Sequence, residues 1–114
     1  MRTKWEHWET LAQLLSTELE NVKSKYVAEF KSAKAEDWIE FVQYHNGIRV
    51  RKASLAFIMP NLNTKIDLIG RKWNGEKYVA TEFWEGDVTR YAENELDKLA
   101  KEIVSVVRDI EPNS

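Results

Sequence analysis

The residues best suited to chemistry lie on either side of one Asn-Gly pair. Upstream runs Lys65-Ile66-Asp67-Leu68-Ile69-Gly70-Arg71-Lys72-Trp73; downstream of Asn74-Gly75 runs Glu76 to Glu85. Asn-Gly between two such runs predicts a two-residue hairpin turn, because a type I′ turn needs positive φ at both central positions. That register sets Arg71 against Tyr78, Ile69 against Ala80, Asp67 against Glu82 and Lys65 against Trp84. Side chains alternate along a strand, so these residues share one face with Trp73. Ile66, Leu68, Val79 and Phe83 form the other face, the natural core. Two directly opposed carboxylates destabilise a sheet unless something compensates. Lys65, a bound cation, or a proton held by one carboxyl would do so. The same face offers a second chemistry. Arg71, Trp73, Tyr78 and Trp84 are of the residue types that anchor protein interfaces.

The segments Ile66-Asp67-Leu68-Ile69-Gly70 and Val79-Ala80-Thr81-Glu82-Phe83-Trp84, joined by a hairpin, resemble the core of PD-(D/E)XK nucleases. The resemblance covers this hairpin and the helix that follows it. It implies that Asp67 and Glu82 bind a divalent cation and that a lysine two residues after the glutamate assists the attacking water. Position 84 holds Trp instead, and Lys65 on the neighbouring strand is the substitute at hand.

Other chemistries lack their residues. There is no cysteine, hence no disulfide, thiolate metal site or cysteine nucleophile. The two histidines, His7 and His45, are too far apart in sequence for ligand spacing. No Gly-rich phosphate loop, Gly-x-Ser-x-Gly or His-Glu-x-x-His is present, and no cofactor is expected. His45 reads as an exposed turn residue. Arg49, Arg51 and Lys52 read as solvated charges on a strand edge. The alternative is a phosphate-facing stripe with Trp73 or Tyr78 stacking on bases.

The elements that must position this hairpin are legible in the spacing. Trp5, Trp8, Ala12, Leu15, Leu19, Val22 and Tyr26 recur every three or four residues, and Leu11 and Leu14 broaden the stripe. They predict a helix over about 4–24, roughly 30 Å long, with Thr3 and Glu6 as a capping box. Continued to Ala33 it would outgrow so small a domain, so it either breaks near Lys23-Ser24-Lys25 or packs its far end on a partner. Residues 38–44 and 48–51 flank Asn46-Gly47 and predict a first hairpin; the competing reading makes Asp37 to Tyr44 a helix that Gly47 stops. Residues 48–59 read as one long central strand, and Pro60 to Asn63 as a loop. Asp87 is placed to cap a last helix carrying Val88, Ala92, Leu96, Leu99, Ala100, Ile103, Val107 and Ile110.

The order predicts a single two-layer α+β domain over 1–114: an N-terminal helix, a three- or four-stranded antiparallel meander sheet and a C-terminal helix. A net charge of −2, from 17 basic and 19 acidic residues, disfavours nucleic acid as a partner. No run reaches membrane-helix length and no signal-type stretch follows Met1, which fits a cytoplasmic protein. The expected role is a non-enzymatic binding or regulatory domain, in the manner of an immunity protein, antitoxin or phage inhibitor. It would grip a protein partner through the aromatic and charged face. The alternatives are the metal-dependent nuclease or its inactive descendant, and a homodimer built on the N-terminal helix.

Overall fold

The computed structural model describes residues 5–34, 36–49, 56–60 and 65–110. Two helices lie against one face of an antiparallel sheet. The first helix, α1, spans Trp8–Asn21 and buries Trp8, Leu11, Ala12, Leu15 and Leu19. Thr3 lies outside the described residues; His7 takes the N-cap position and makes no side-chain cap bond. The helix ends in a Schellman arrangement. The Ser24 N–H donates to the Leu19 carbonyl at 2.9 Å and the Lys23 N–H to the Glu20 carbonyl at 3.0 Å. This closure puts Lys23 in the left-handed region, at φ 58°, where glycine is the usual residue. The helix therefore breaks where its length demanded, and Tyr26 belongs to a strand.

That strand, β1 (Tyr26–Ser32), corrects the sequence reading, which took the sheet to begin at residue 38. Its side chains alternate, with Ala28 and Phe30 packed on the core and Glu29 and Lys31 pointing away. The Ser16 hydroxyl of α1 donates to the Ala28 carbonyl at 3.0 Å and accepts from the Ala28 N–H at 3.2 Å. A helix side chain thus satisfies backbone groups on an edge strand, where a further strand would otherwise pair.

Next come β2 (Asp37–His45), β3 (Ile48–Arg49) and β4 (Ala56–Pro60). The Asn46-Gly47 turn has the expected form. His45 faces Ile48, and the turn residues have φ of 52° and 79°. The long strand expected over residues 48–59 is two pieces on the same side of β2. Tyr44 faces Arg49, whereas Phe41 faces Ala56, so the two pairings are out of register. Residues 50–55, with Arg51 and Lys52, and the 61–63 part of the loop lie outside the described residues. β5 (Lys65–Trp73) and β6 (Tyr78–Asp87) complete the sheet in the order β1-β2-β4-β5-β6, with β3 off β2. There are more strands than the three or four expected, within the same two-layer architecture.

After β6 the helix does not start at once. Asp87 caps a 3₁₀ turn at Val88–Arg90, its carboxylate accepting from the Thr89 N–H at 2.9 Å. A second 3₁₀ turn, Glu93–Glu95, leads into α2 (Leu96–Ile110). Ala92 is consequently exposed instead of lying on the buried stripe. Leu96, Leu99, Ala100, Ile103, Val104 and Val107 meet α1 and the sheet residues Ile39, Phe41, Ile58, Ile66 and Leu68 in one core. The α1 stripe is buried inside its own chain. No described helix is long and apolar enough to cross a membrane.

Candidate functional site

The second hairpin departs from the expected register twice, and both departures reshape the site. The loop holds four residues, not two: Trp73 pairs with Tyr78. The Asn74 carboxamide oxygen accepts from the N–H groups of Glu76 and Lys77, each at 2.9 Å, and Gly75 takes φ 103°. An Asx turn outcompetes the tight turn because Asn can hydrogen-bond its own backbone further on. The register then shifts between Leu68 and Ile69. Ile69 faces Glu82 but Leu68 faces Trp84, which leaves Phe83 as an inserted residue. Such a bulge turns the following residues to the opposite face.

Trp84 is therefore not on the outer face with Trp73 and Tyr78. It lies on the helix side, partly buried against the core. Its indole N–H donates to the Glu102 carboxylate of α2 at 3.4 Å. Its ring lies across Gly86, where an added Cβ would stand 2.1 Å from it. Phe83, expected as core, is only half-buried at the bulge, and Val79 near the turn is likewise half-buried. Ile66 and Leu68 are fully buried as expected.

Asp67 and Glu82 do meet on the outer face, through the bulge instead of by direct opposition. Glu85, which sequence alternation places on the other face, is rotated beside them. Carboxylate oxygens of the three lie within 4.8 Å of one another. A hydrogen bond and the charge of Asp67 hold the Glu82 carboxyl above the usual glutamate range, helped by burial and by Glu85. Lys65 reaches Glu85 at 3.5 Å. The donor set of three carboxylates suits a hard divalent cation. Trp84, at the position where the nuclease resemblance wants a lysine, faces the helices, and Lys65 is the lysine beside the carboxylates.

The outer face has a second feature, at the other end of the sheet. β2 and β5 run in the same direction, each antiparallel to β4. The ends of β2 and β5 and the starts of β1, β3 and β6 consequently share one edge of the molecule. Among the described residues, the exposed large hydrophobics are Val27, Tyr44, Ile48, Trp73 and Tyr78; all five fall at this end, Val27, Tyr44, Trp73 and Tyr78 on the outer face and Ile48, opposite His45, on the other. Trp73 is 54% and Tyr78 64% exposed, with their rings edge-on at 5.2 Å between centroids. Arg71, Lys72 and Lys77 are exposed around them, with Glu76 at the turn. The Tyr44 hydroxyl donates to Glu29, so its ring has a fixed direction. Sequence reasoning found Arg71, Trp73 and Tyr78; it missed Val27, Tyr44 and Ile48, whose convergence depends on strand order. His45, read as an exposed turn residue, is exposed.

Comparison with protein-family models, curated proteins and solved structures finds no match. The fold and surface define a small two-layer α+β domain with helices on one face of its sheet. Its other face carries an aromatic, basic end and an acidic end.

Proposed function

We propose that the chain is a non-enzymatic binding domain that grips a protein partner at the aromatic end of its sheet. The observation that carries this reading is the exposure of Val27, Tyr44, Trp73 and Tyr78 at one end of the outer face. Scattered single apolar residues on a surface are ordinary, whereas grouped ones mark interaction, and the Trp73 and Tyr78 rings are in edge-to-face contact. Trp and Tyr with a neighbouring Arg are the side chains that dominate interface energetics. Arg71, Lys72 and Lys77 favour a partner surface that is apolar at its centre and acidic at its rim. Inhibition of a partner, as by an immunity protein or antitoxin, is the mode of action this reading favours, in the cytoplasm. The test is a comparison of wild type with Trp73→Ala in partner capture. Binding should fall by about 2 kcal/mol while the fold persists.

A second reading, a divalent-cation site of the PD-(D/E)XK kind, is favoured by the arrival of Glu85 beside Asp67 and Glu82. These three residues would hold the ion, which would supply Lewis-acid activation of a water or phosphate. Calorimetric titration with Mg²⁺ and Mn²⁺, and nicking of plasmid DNA by protein purified to homogeneity, test it. Activity lost in Asp67→Asn would establish this reading over the first.

A further inference from the structure

At the far end of β6, where the chain turns toward α2, lies a cleft of about 260 Å³. Two aromatic side chains line it, Trp84 from β6 and Tyr91 from the connection between the 3₁₀ turns. One carboxylate braces both. Glu102 accepts from the Trp84 indole N–H at 3.4 Å through one oxygen, and from the Tyr91 hydroxyl through the other. The brace spans three elements and fixes the directions of both rings. Gly86 lines the cleft beneath the Trp84 ring, and its lack of a side chain is what lets the ring lie there.

The charge around the rings is unbalanced. Glu85, Asp87 and Glu102 line the cleft against Lys65 and Arg90. Lys65 and Glu85 pair with each other at 3.5 Å, and the lining as a whole keeps one net negative charge. Asp67 and Glu82 adjoin Glu85 and add to the negative field. Aromatic faces attract cations through their quadrupole, most strongly in Trp, and a carboxylate rim adds to that attraction.

The geometry points to a subsite for an organic cation, an ammonium or guanidinium group seated against Trp84 and Tyr91 and paired with the Glu85 and Asp87 carboxylates. This site is separate from the aromatic end of the sheet and does not depend on the function proposed above. The cation comes either from a basic side chain of a peptide or from a free amine. The experiment is an NMR titration of the full chain, following the Trp84 indole N–H. The probes are acetyl-Gly-Arg-Gly-amide, the same peptide with citrulline, and putrescine. The expected result is a saturable shift with the arginine peptide or with putrescine and none with the neutral citrulline peptide. Whichever of the two cations binds more tightly identifies the source. Glu85→Gln, on the exposed rim, should weaken binding about two- to fivefold with an unchanged amide spectrum elsewhere. Glu102→Gln keeps an acceptor but removes charge, and should weaken it likewise. No shift with either cation, an equal shift with citrulline, or full affinity in both variants would overturn the assignment.

Discussion

Replacing Gly86 by Ala tests the least expected part of the structure, the bulge that moves Trp84 to the helix side. The methyl group would stand 2.1 Å from Cη2, 2.6 Å from Cζ2 and 2.9 Å from Cζ3 of the Trp84 ring. Ordinary carbon contacts lie at about 3.5–4.0 Å, so the ring must move by more than an ångström. Gly86 is in a strand opposite Ile66 and has no left-handed φ, so the backbone itself accepts alanine. The cost is steric. Overpacking of this kind costs about 1–3 kcal/mol, offset by about 0.4–1 kcal/mol from the stiffer unfolded chain. A net loss of about 1–2 kcal/mol is expected from those two ranges. With a urea m-value of about 1–2 kcal/mol/M, the midpoint should fall by about 1 M. The Trp84 indole N–H resonance should shift as its bond to Glu102 is lost. In a Trp84→Leu background the same substitution should cost much less, a coupling that a double-mutant cycle reads directly. Gly86→Ala as stable as wild type, with an unmoved indole resonance, would refute the placement of Trp84 and with it the bulge.

Lys23→Gly relieves the left-handed φ of 58° at the end of α1 and should raise stability by about 0.5–1 kcal/mol in urea unfolding. Ser16→Ala strips the hydroxyl that serves the Ala28 backbone and should cost about 0.5–1.5 kcal/mol; hydrogen exchange at the Ala28 amide should rise. The raised Glu82 carboxyl sets a pH dependence. A proton held more tightly in the folded than the unfolded chain stabilises the fold below the unfolded pKa, and that contribution is lost as pH rises through the folded one. Asp67, Glu85 and Lys65 are the charged groups facing it. Glu82→Gln should therefore stabilise the domain more near pH 7 than near pH 4, reference glutamate titrating at about 4.3. A difference independent of pH would show that the two carboxyls do not interact. Trp73→Ala should cost no more than about 0.5–1 kcal/mol, the value of a cross-strand aromatic pair, because its ring is 54% exposed.

Elements written as sustained periodicity were legible. The stripe from Trp8 to Leu19 and that from Leu96 to Val107 gave both helices, because a buried helical face needs apolar residues every three or four positions. Asp37–His45 read as strand or as helix stopped by Gly47, and it is a strand, closed by the Asn46-Gly47 turn that the dipeptide signals. β1 was hidden because Tyr26 falls in phase with the preceding helix, and only the left-handed Lys23 separates the two periods. The two Asn-Gly pairs show the limit of a dipeptide signal. One forms a two-residue turn, while the other yields to the Asn74 side chain. At the site, Arg71, Trp73 and Tyr78 were placed correctly on the outer face even though the register was not. Lengthening the loop by two residues, Glu76 and Lys77, both on the β6 side, kept Trp73 and Tyr78 on the same face. The bulge broke that alternation, exchanging Trp84 for Glu85 beside Asp67 and Glu82, and a single inserted residue leaves no mark in hydrophobic periodicity.

The proposed function rests on contact with a partner at the aromatic end of the sheet. The most direct measurement is site-specific photo-crosslinking in the cells that make the protein. The photoreactive residue p-benzoylphenylalanine is placed at Tyr78, 64% exposed at that end, and, separately, at Asp97 on the exposed side of α2. A discrete crosslinked protein species from position 78 and none from position 97, abolished at position 78 by Trp73→Ala, is the predicted result. Crosslinking from position 97 with none from position 78 would contradict the account.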